Sequence, residues 1–150
     1  MIIRIHESGD FYSLQYLRKW VEIWKNLEDE NVLFVFYTKS FPFFLMLTDE
    51  EKEIIRHMMK SGKLAMNLSI DDTTTKEQMI AYLKMLKEYP LANTYRVTEK
   101  VSEADDKCDC ANCAKCGACN KAQGKEKVVE IHSASNADKD EYRKNRRSGK

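Results

Sequence analysis

The sequence predicts an α/β fold of repeated βα units that form a mostly parallel sheet or part of a barrel. Three observations predict it. Short β-prone runs begin near Ile2, Val32, Lys63, Asn93 and Lys127, at steps of 30, 31, 30 and 34 residues. Helical patterning fills the gaps between the first four runs, and a parallel strand reaches its neighbour only through a crossover, usually a helix. Gly (5) and Pro (2) are scarce in a chain of 150 residues, which disfavours a loop-rich all-β protein.

The elements follow in chain order. The first strand, Ile2 to Ile5, leads into the polar stretch His6 to Tyr12. A first helix is expected over about Tyr12 to Leu27. Leu14, Leu17, Val21 and Trp24 recur there at steps of three and four, and Tyr16, Trp20, Ile23 and Leu27 widen the face. Ser8 and Asp10 offer oxygen caps at its start. The second strand, Val32 to Tyr37, is followed by Thr38-Lys39-Ser40 and an apolar run, Phe41 to Leu47, interrupted by Pro42. A second helix is expected over Asp49 to Lys60. Thr48 and Glu51 form a capping-box pattern, Ile54, Ile55, Met58 and Met59 make the buried face, and Gly62 ends it. The third strand begins near Lys63. The third helix runs from about Thr75 to Tyr89, with Met79, Ile80, Leu83 and Leu86 as its buried face and Pro90 as its stop. Methionines at this spacing are read as adaptable core filler. The fourth strand carries Arg96 and Thr98 on one face.

Composition then changes. Val101 to Lys107 is acidic and polar, Cys108 to Cys119 is a cysteine cluster, and Lys127 to His132 reads as a last strand. The expected organisation is an α/β domain over 1–132, with a cysteine-rich metal-binding loop at 107–121 and a disordered basic tail at 133–150. With 43% hydrophobic and 33% charged residues the chain can build a core. A net charge of +1 excludes a generally basic nucleic-acid binder. No apolar run approaches the roughly 20 residues of a membrane span. No basic-then-apolar leader opens the chain, and five cysteines cannot all pair within it. Free thiols fit a reducing compartment, so a soluble, cytoplasmic protein is expected.

In parallel sheets ligands bind outside the carboxyl ends of the strands. The first such end, His6-Glu7-Ser8-Gly9-Asp10, is the most polar in the chain. Gly9 permits close approach of backbone to a ligand. Glu7 and Asp10 can accept bonds from an amine or ribose, or the stretch is simply a turn with helix caps. At the second strand end Lys39 either holds a carboxylate or phosphate or is a solvated loop lysine. At the third, alternation puts Asn67, Ser69 and Asp71 on one face. A polar inner face of a parallel sheet meets a ligand or water, although Asp71 to Thr74 also suits a helix cap. His132 ends the last strand as a ligand, a site residue or an ordinary half-buried histidine.

Cys108, Cys110, Cys113, Cys116 and Cys119 form the pattern C-x-C-x2-C-x2-C-x2-C, which points to metal binding rather than a cluster of merely free or redox-active thiols. Consecutive C-x2-C spacings resemble the run that wraps an iron–sulfur cluster. Zinc usually joins two such knuckles across a longer spacer or adds a histidine, which His132 could supply. Both metals stay open. The tail carries Lys139, Arg143, Lys144, Arg146, Arg147 and Lys150 against Asp138, Asp140 and Glu141. It either solvates the chain or makes non-specific contacts to nucleic-acid phosphates.

The stretch Arg4-Ile5-His6-Glu7-Ser8-Gly9-Asp10-Phe11-Tyr12-Ser13, the Trp-bearing helix after it and Phe36-Tyr37-Thr38-Lys39-Ser40 resemble the phage protein family called gene product eighty-eight. The late cysteine run and the strand ending in His132 are similar to it as well. The resemblance covers about residues 2–133 and implies a phage or prophage setting. That family in turn looks like a distant relative of radical S-adenosylmethionine enzymes. This second likeness implies a partial barrel in which Ser8, Gly9 and Asp10 bind the methionine amine, with Glu7 and His6 beside them. Ser69 and Asn67 would then approach the ribose or carboxylate. The chain departs from that pattern, because no cysteine precedes Cys108. Its first strand would correspond to the family's second, which leaves an open edge for a partner chain.

The leading expectation is a phage-type metal-binding α/β protein, a partial radical S-adenosylmethionine-like iron–sulfur protein without the early cluster motif. The rival is a non-catalytic module with structural zinc that contacts nucleic acid or a host protein. A third reading is an inert remnant of a longer enzyme.

Overall fold

The computed structural model of the chain describes residues 1–6, 9–98, 121–124 and 126–130, with backbone alone at 98 and 127–130. Strands β1 (Ile2–Arg4), β2 (Leu33–Thr38), β3 (Leu64–Asp71), β4 (Asn93–Thr98) and β5 (Glu126–Glu130) form one sheet. Their spatial order is their chain order, and every pairing is parallel. The mostly parallel sheet expected from the spacing is thus fully parallel among the described residues. Among the described residues it is open, with β1 and β5 at its edges.

Helices α1 (Leu14–Asn26), α2 (Phe41–Leu45), α3 (Asp49–Lys60) and α4 (Lys76–Glu88) form one layer. In it α1 packs on α2 and α3, and α2 packs on α4. Sequential parallel strands joined by crossovers of one hand require this one-sided arrangement. The core lies between the layers. Phe34 and Phe36 of β2 and Leu64, Met66, Leu68 and Ile70 of β3 meet Leu17, Val21 and Trp24 of α1 and Phe41 and Phe44 of α2. The Trp24 ring stacks on Phe36 at 5.5 Å and Phe36 stacks on Phe44 at 5.7 Å, with Phe11 edge-on to both phenyl rings. Alternation puts Arg4, Val35, Tyr37, Ala65, Asn67, Ser69, Asn93 and Tyr95 on the opposite face. Among the described residues no helix lies on it, yet Val35, Ala65, Asn67 and Asn93 are buried.

Local chemistry explains the helix ends. Ser13 caps α1, accepting from Tyr16 N at 3.1 Å, in place of the expected Ser8 or Asp10. Thr48 and Glu51 close the expected capping box on α3, and Thr75 with Gln78 closes a second one on α4. At the end of α3, Gly62 takes φ +74°, and its N–H and that of Lys63 reach the Met59 and Met58 carbonyls. These two bonds are a Schellman close, which needs a residue tolerant of positive φ.

Two expectations are corrected. The run Phe41 to Leu47 contains the short helix α2, because a proline in the first turn gives up an N–H that would be unpaired anyway. On α4 the buried side chains are Tyr82 and Met85, while Ile80 and Leu83 are 56% and 57% exposed. The Tyr82 hydroxyl pairs with Thr94 Oγ1 of β4 at 2.6 Å, which sets the helix's rotation. The cysteine loop up to residue 120, His132 and the tail lie outside the described residues. No described helix is long and apolar enough to cross a membrane.

Candidate functional site at the carboxyl edge of the sheet

The carboxyl ends of β1, β2 and β3 meet in one network. After β1, Ile5 continues the ladder to Val35, and His6 takes φ +57°. A left-handed residue other than glycine is uncommon. The His6 ring packs edge-on to Phe11 at 4.9 Å and against Tyr16 at 5.6 Å, and its Nε2 is buried with no hydrogen-bond partner among the described residues. Gly9 has φ +93°. Glu7 and Ser8, two of the expected ligand-binding residues, lie outside the described residues.

Asp10 is the centre of the network. Its Oδ1 accepts from Phe11 N and Thr38 Oγ1, both at 2.7 Å, and its Oδ2 from Lys39 N at 2.6 Å and Ser40 N at 3.1 Å. Ser40 Oγ donates back to the Phe11 carbonyl at 2.8 Å. A carboxylate offers about four acceptor positions, and four donors occupy them. Asp10 therefore ties the loop after β1 to the loop after β2, and a ligand amine would have to displace one of these donors.

Lys39 leaves that loop toward β3, where its Nζ forms an ion pair with Asp71 Oδ2. The lysine side chain is half exposed, while Asp71 is 9% exposed. Asp71 Oδ1 accepts from Thr73 N at 2.8 Å and Thr73 Oγ1 at 2.6 Å. Burial pushes the Asp71 carboxyl up, but hydrogen bonds from Lys39 and Thr73 and the charge of Lys39 outweigh it, so the group titrates below its ordinary value. The cap-like turn and the site thus share one residue.

Asn67 and Asn93 cross the sheet. Asn67 Nδ2 donates to the Phe36 carbonyl at 3.1 Å. Asn93 Nδ2 lies 3.2 Å from Asn67 Oδ1 and 2.8 Å from the Lys121 carbonyl, and Asn93 Oδ1 accepts from Gln123 N at 3.2 Å. This chain satisfies amides that would be costly if buried alone. It also fastens 121–124, the approach to β5, to the start of β4. Ser69 is half-buried one row further on, level with Tyr95. Sequence reasoning missed the diagonal Arg4, Tyr37, Tyr95. The Arg4 guanidinium lies 5.3 Å from the Tyr37 ring centroid, and Tyr37 is edge-on to Tyr95 at 5.0 Å. The alternation of each strand, combined with register, would have found it.

The structure therefore brings Asp10 and Lys39 together with Asp71 and Thr38, sets Asn67 and Ser69 on the adjoining face, and keeps His6 against the aromatic base of α1. Among the described residues there is no group of three or more His, Cys, Asp or Glu side chains arranged to hold a metal. The expected ligands Cys108, Cys110, Cys113, Cys116, Cys119 and His132 are outside them.

The sequence model of one protein family, described as Gene product 88, matches residues 1–134. The chain belongs to the gene product 88 family. No curated protein and no solved structure matches it. The gene product 88 match spans all five strands, the network around Asp10, and the cysteine run as sequence. It carries the phage-type family, and nothing in it extends to radical S-adenosylmethionine enzymes.

Proposed function

We propose that this gene product 88 chain is a metal-binding phage protein that works in the cytoplasm of a bacterial host. In this reading the cysteine run holds an iron–sulfur cluster or zinc, and the carboxyl edge around Lys39 takes a small ligand with a carboxylate or phosphate. The observation that carries the ligand half is the Lys39–Asp71 pair: a half-exposed ammonium held in place at the edge where parallel sheets bind ligands. An ammonium has three donors, and Asp71 fixes the lysine while leaving it open to an anion. Ser69, half-buried, lies on the adjoining face. The metal half rests on cysteine spacing, and thiolates suit either metal.

S-adenosylmethionine, which carries a carboxylate beside an amine, is the first ligand to test. Calorimetry under anaerobic conditions is expected to show binding to the full chain and at least tenfold weaker binding to Lys39→Ala. No heat with the unaltered protein removes this cofactor. Iron with acid-labile sulfide in protein purified without air supports a cluster, zinc without sulfide supports a structural site, and neither metal removes the metal half. Zinc together with no binding heat would favour an interaction module, whose nucleic-acid form requires an affinity that falls steeply with salt.

A further inference from the structure

The solvent side of the helix layer is electrically lopsided. On α4, Lys76, Ile80, Leu83 and Lys87 follow at steps of four, three and four, which aligns them in one seam with Lys84 alongside. Ile80 and Leu83 are more than half exposed and the three lysines are exposed. This seam is separate from the Tyr82 and Met85 face that α4 buries. The far flank of α4 turns toward α3, where Glu88 pairs with Arg56 at 2.5 Å. Beyond α3, between it and α1, runs a groove of about 650 Å³ lined by Lys25, Glu28, Glu50, Glu53, Ile54 and His57. Its floor is the half-buried Ile54, and its rim carries Glu28 and Glu50 against Lys25, while Glu53 is already paired with Arg56 at 2.9 Å.

We propose that the α4 seam of one copy docks in the α1–α3 groove of a second copy. Ile80 and Leu83 would meet Ile54, and Lys84 and Lys87 would meet Glu28 and Glu50. The occupant is a second copy because both halves of the complementary pair are on this chain: an apolar strip with a basic rim, and an apolar floor with an acidic one. A net charge of +1 leaves little overall repulsion against self-association. The two surfaces differ, so the contact closes as a two-fold dimer where both pairs engage reciprocally, and builds rings or open chains where each copy uses its seam on one neighbour and its groove on another. It is independent of the ligand and metal readings.

The test is sedimentation velocity of the full chain over a range of concentrations and salt. A mass above the 17.6 kDa of one chain is expected, rising with concentration and falling as salt screens the rim charges. The variant Lys84→Glu/Lys87→Glu is expected to weaken self-association at least tenfold, and so is Glu28→Lys/Glu50→Lys. Mixed one to one, the two variants are expected to associate again, because an acidic seam then faces a basic groove and a basic seam an acidic one. All four positions are exposed, and unchanged far-ultraviolet dichroism verifies that both variants fold. A monomer at every concentration overturns the proposal. So does association that charge reversal leaves untouched, as pairing along the β1 edge would be, or a mixture that stays monomeric.

Discussion

Asp10 holds four donors on two oxygens, which makes it the residue whose smallest change should cost most. Asp10→Asn keeps the shape but turns an amine toward N–H or O–H groups, so at least one donor is left unpaired. Losing hydrogen bonds to a charged acceptor costs about 2–3 kcal/mol. The expected readout is a lower urea midpoint with an unchanged slope. Asp71 gives a pH signature instead. Its folded carboxyl titrates below the unfolded one, so its contribution to stability is present above the unfolded value, about 4. That contribution is lost as pH falls through the folded value. Acidification should therefore destabilise the unaltered protein more than Asp71→Asn, and parallel titrations of the two would sink this account. Because Lys39 is half exposed, the difference should be modest. Lys39 and Asp71 were both legible as strand-end residues, but their pairing was not, because it depends on the register between β2 and β3. Asp10 was read as a helix cap for a related reason. Ser8, Asp10 and Ser13 all offer an oxygen near the start of α1, and only the path of the loop decides that Ser13 is used.

Among the elements, α3 was legible end to end because its cap, its buried stripe and its terminating glycine agree. On α4 the pattern could not choose. Met79, Ile80, Tyr82, Leu83, Met85 and Leu86 go most of the way round the helix, and the bond from Tyr82 to Thr94 selects one side. α2 was hidden because its proline was read as an interruption. Glycines make the sharpest test at this scale. Gly62 has φ +74° with open space around it, so Gly62→Ala should cost only the left-handed penalty, about 1–2 kcal/mol. Gly124 has φ +64°, and a Cβ there would lie 2.5 Å from the Pro90 carbonyl oxygen. Its N–H also donates to the Leu91 carbonyl at 3.1 Å, joining the start of β5 to the start of β4. Gly124→Ala should therefore lower the urea midpoint clearly more than Gly62→Ala. Equal effects would mean that the backbone around Pro90 yields.

For the whole molecule, the thirty-residue cadence made the positions and the parallel direction of the strands readable, since each of the first three crossovers needs a strand, a turn and a helical segment of similar length. Strands begin within a residue of the expected positions at β1, β2, β3, β4 and β5. The character of the two faces was only half readable. Alternation showed that β3 is polar on one side, but a single strand does not say what its neighbours place beside it. The buried Asn67 was therefore open to a ligand reading. In the structure its amide is spent on Phe36 and Asn93, which belong to the strands on either side.

Spatial order that equals chain order has a consequence for how the protein is made. As the chain leaves the ribosome, each new strand meets a neighbour that is already complete, so the sheet can grow by addition at one edge without waiting for distant sequence. The first loop is the exception. The Asp10 carboxylate waits about thirty residues for its partners at 38–40, so the corner that carries the candidate site is finished one unit later than the strand it belongs to.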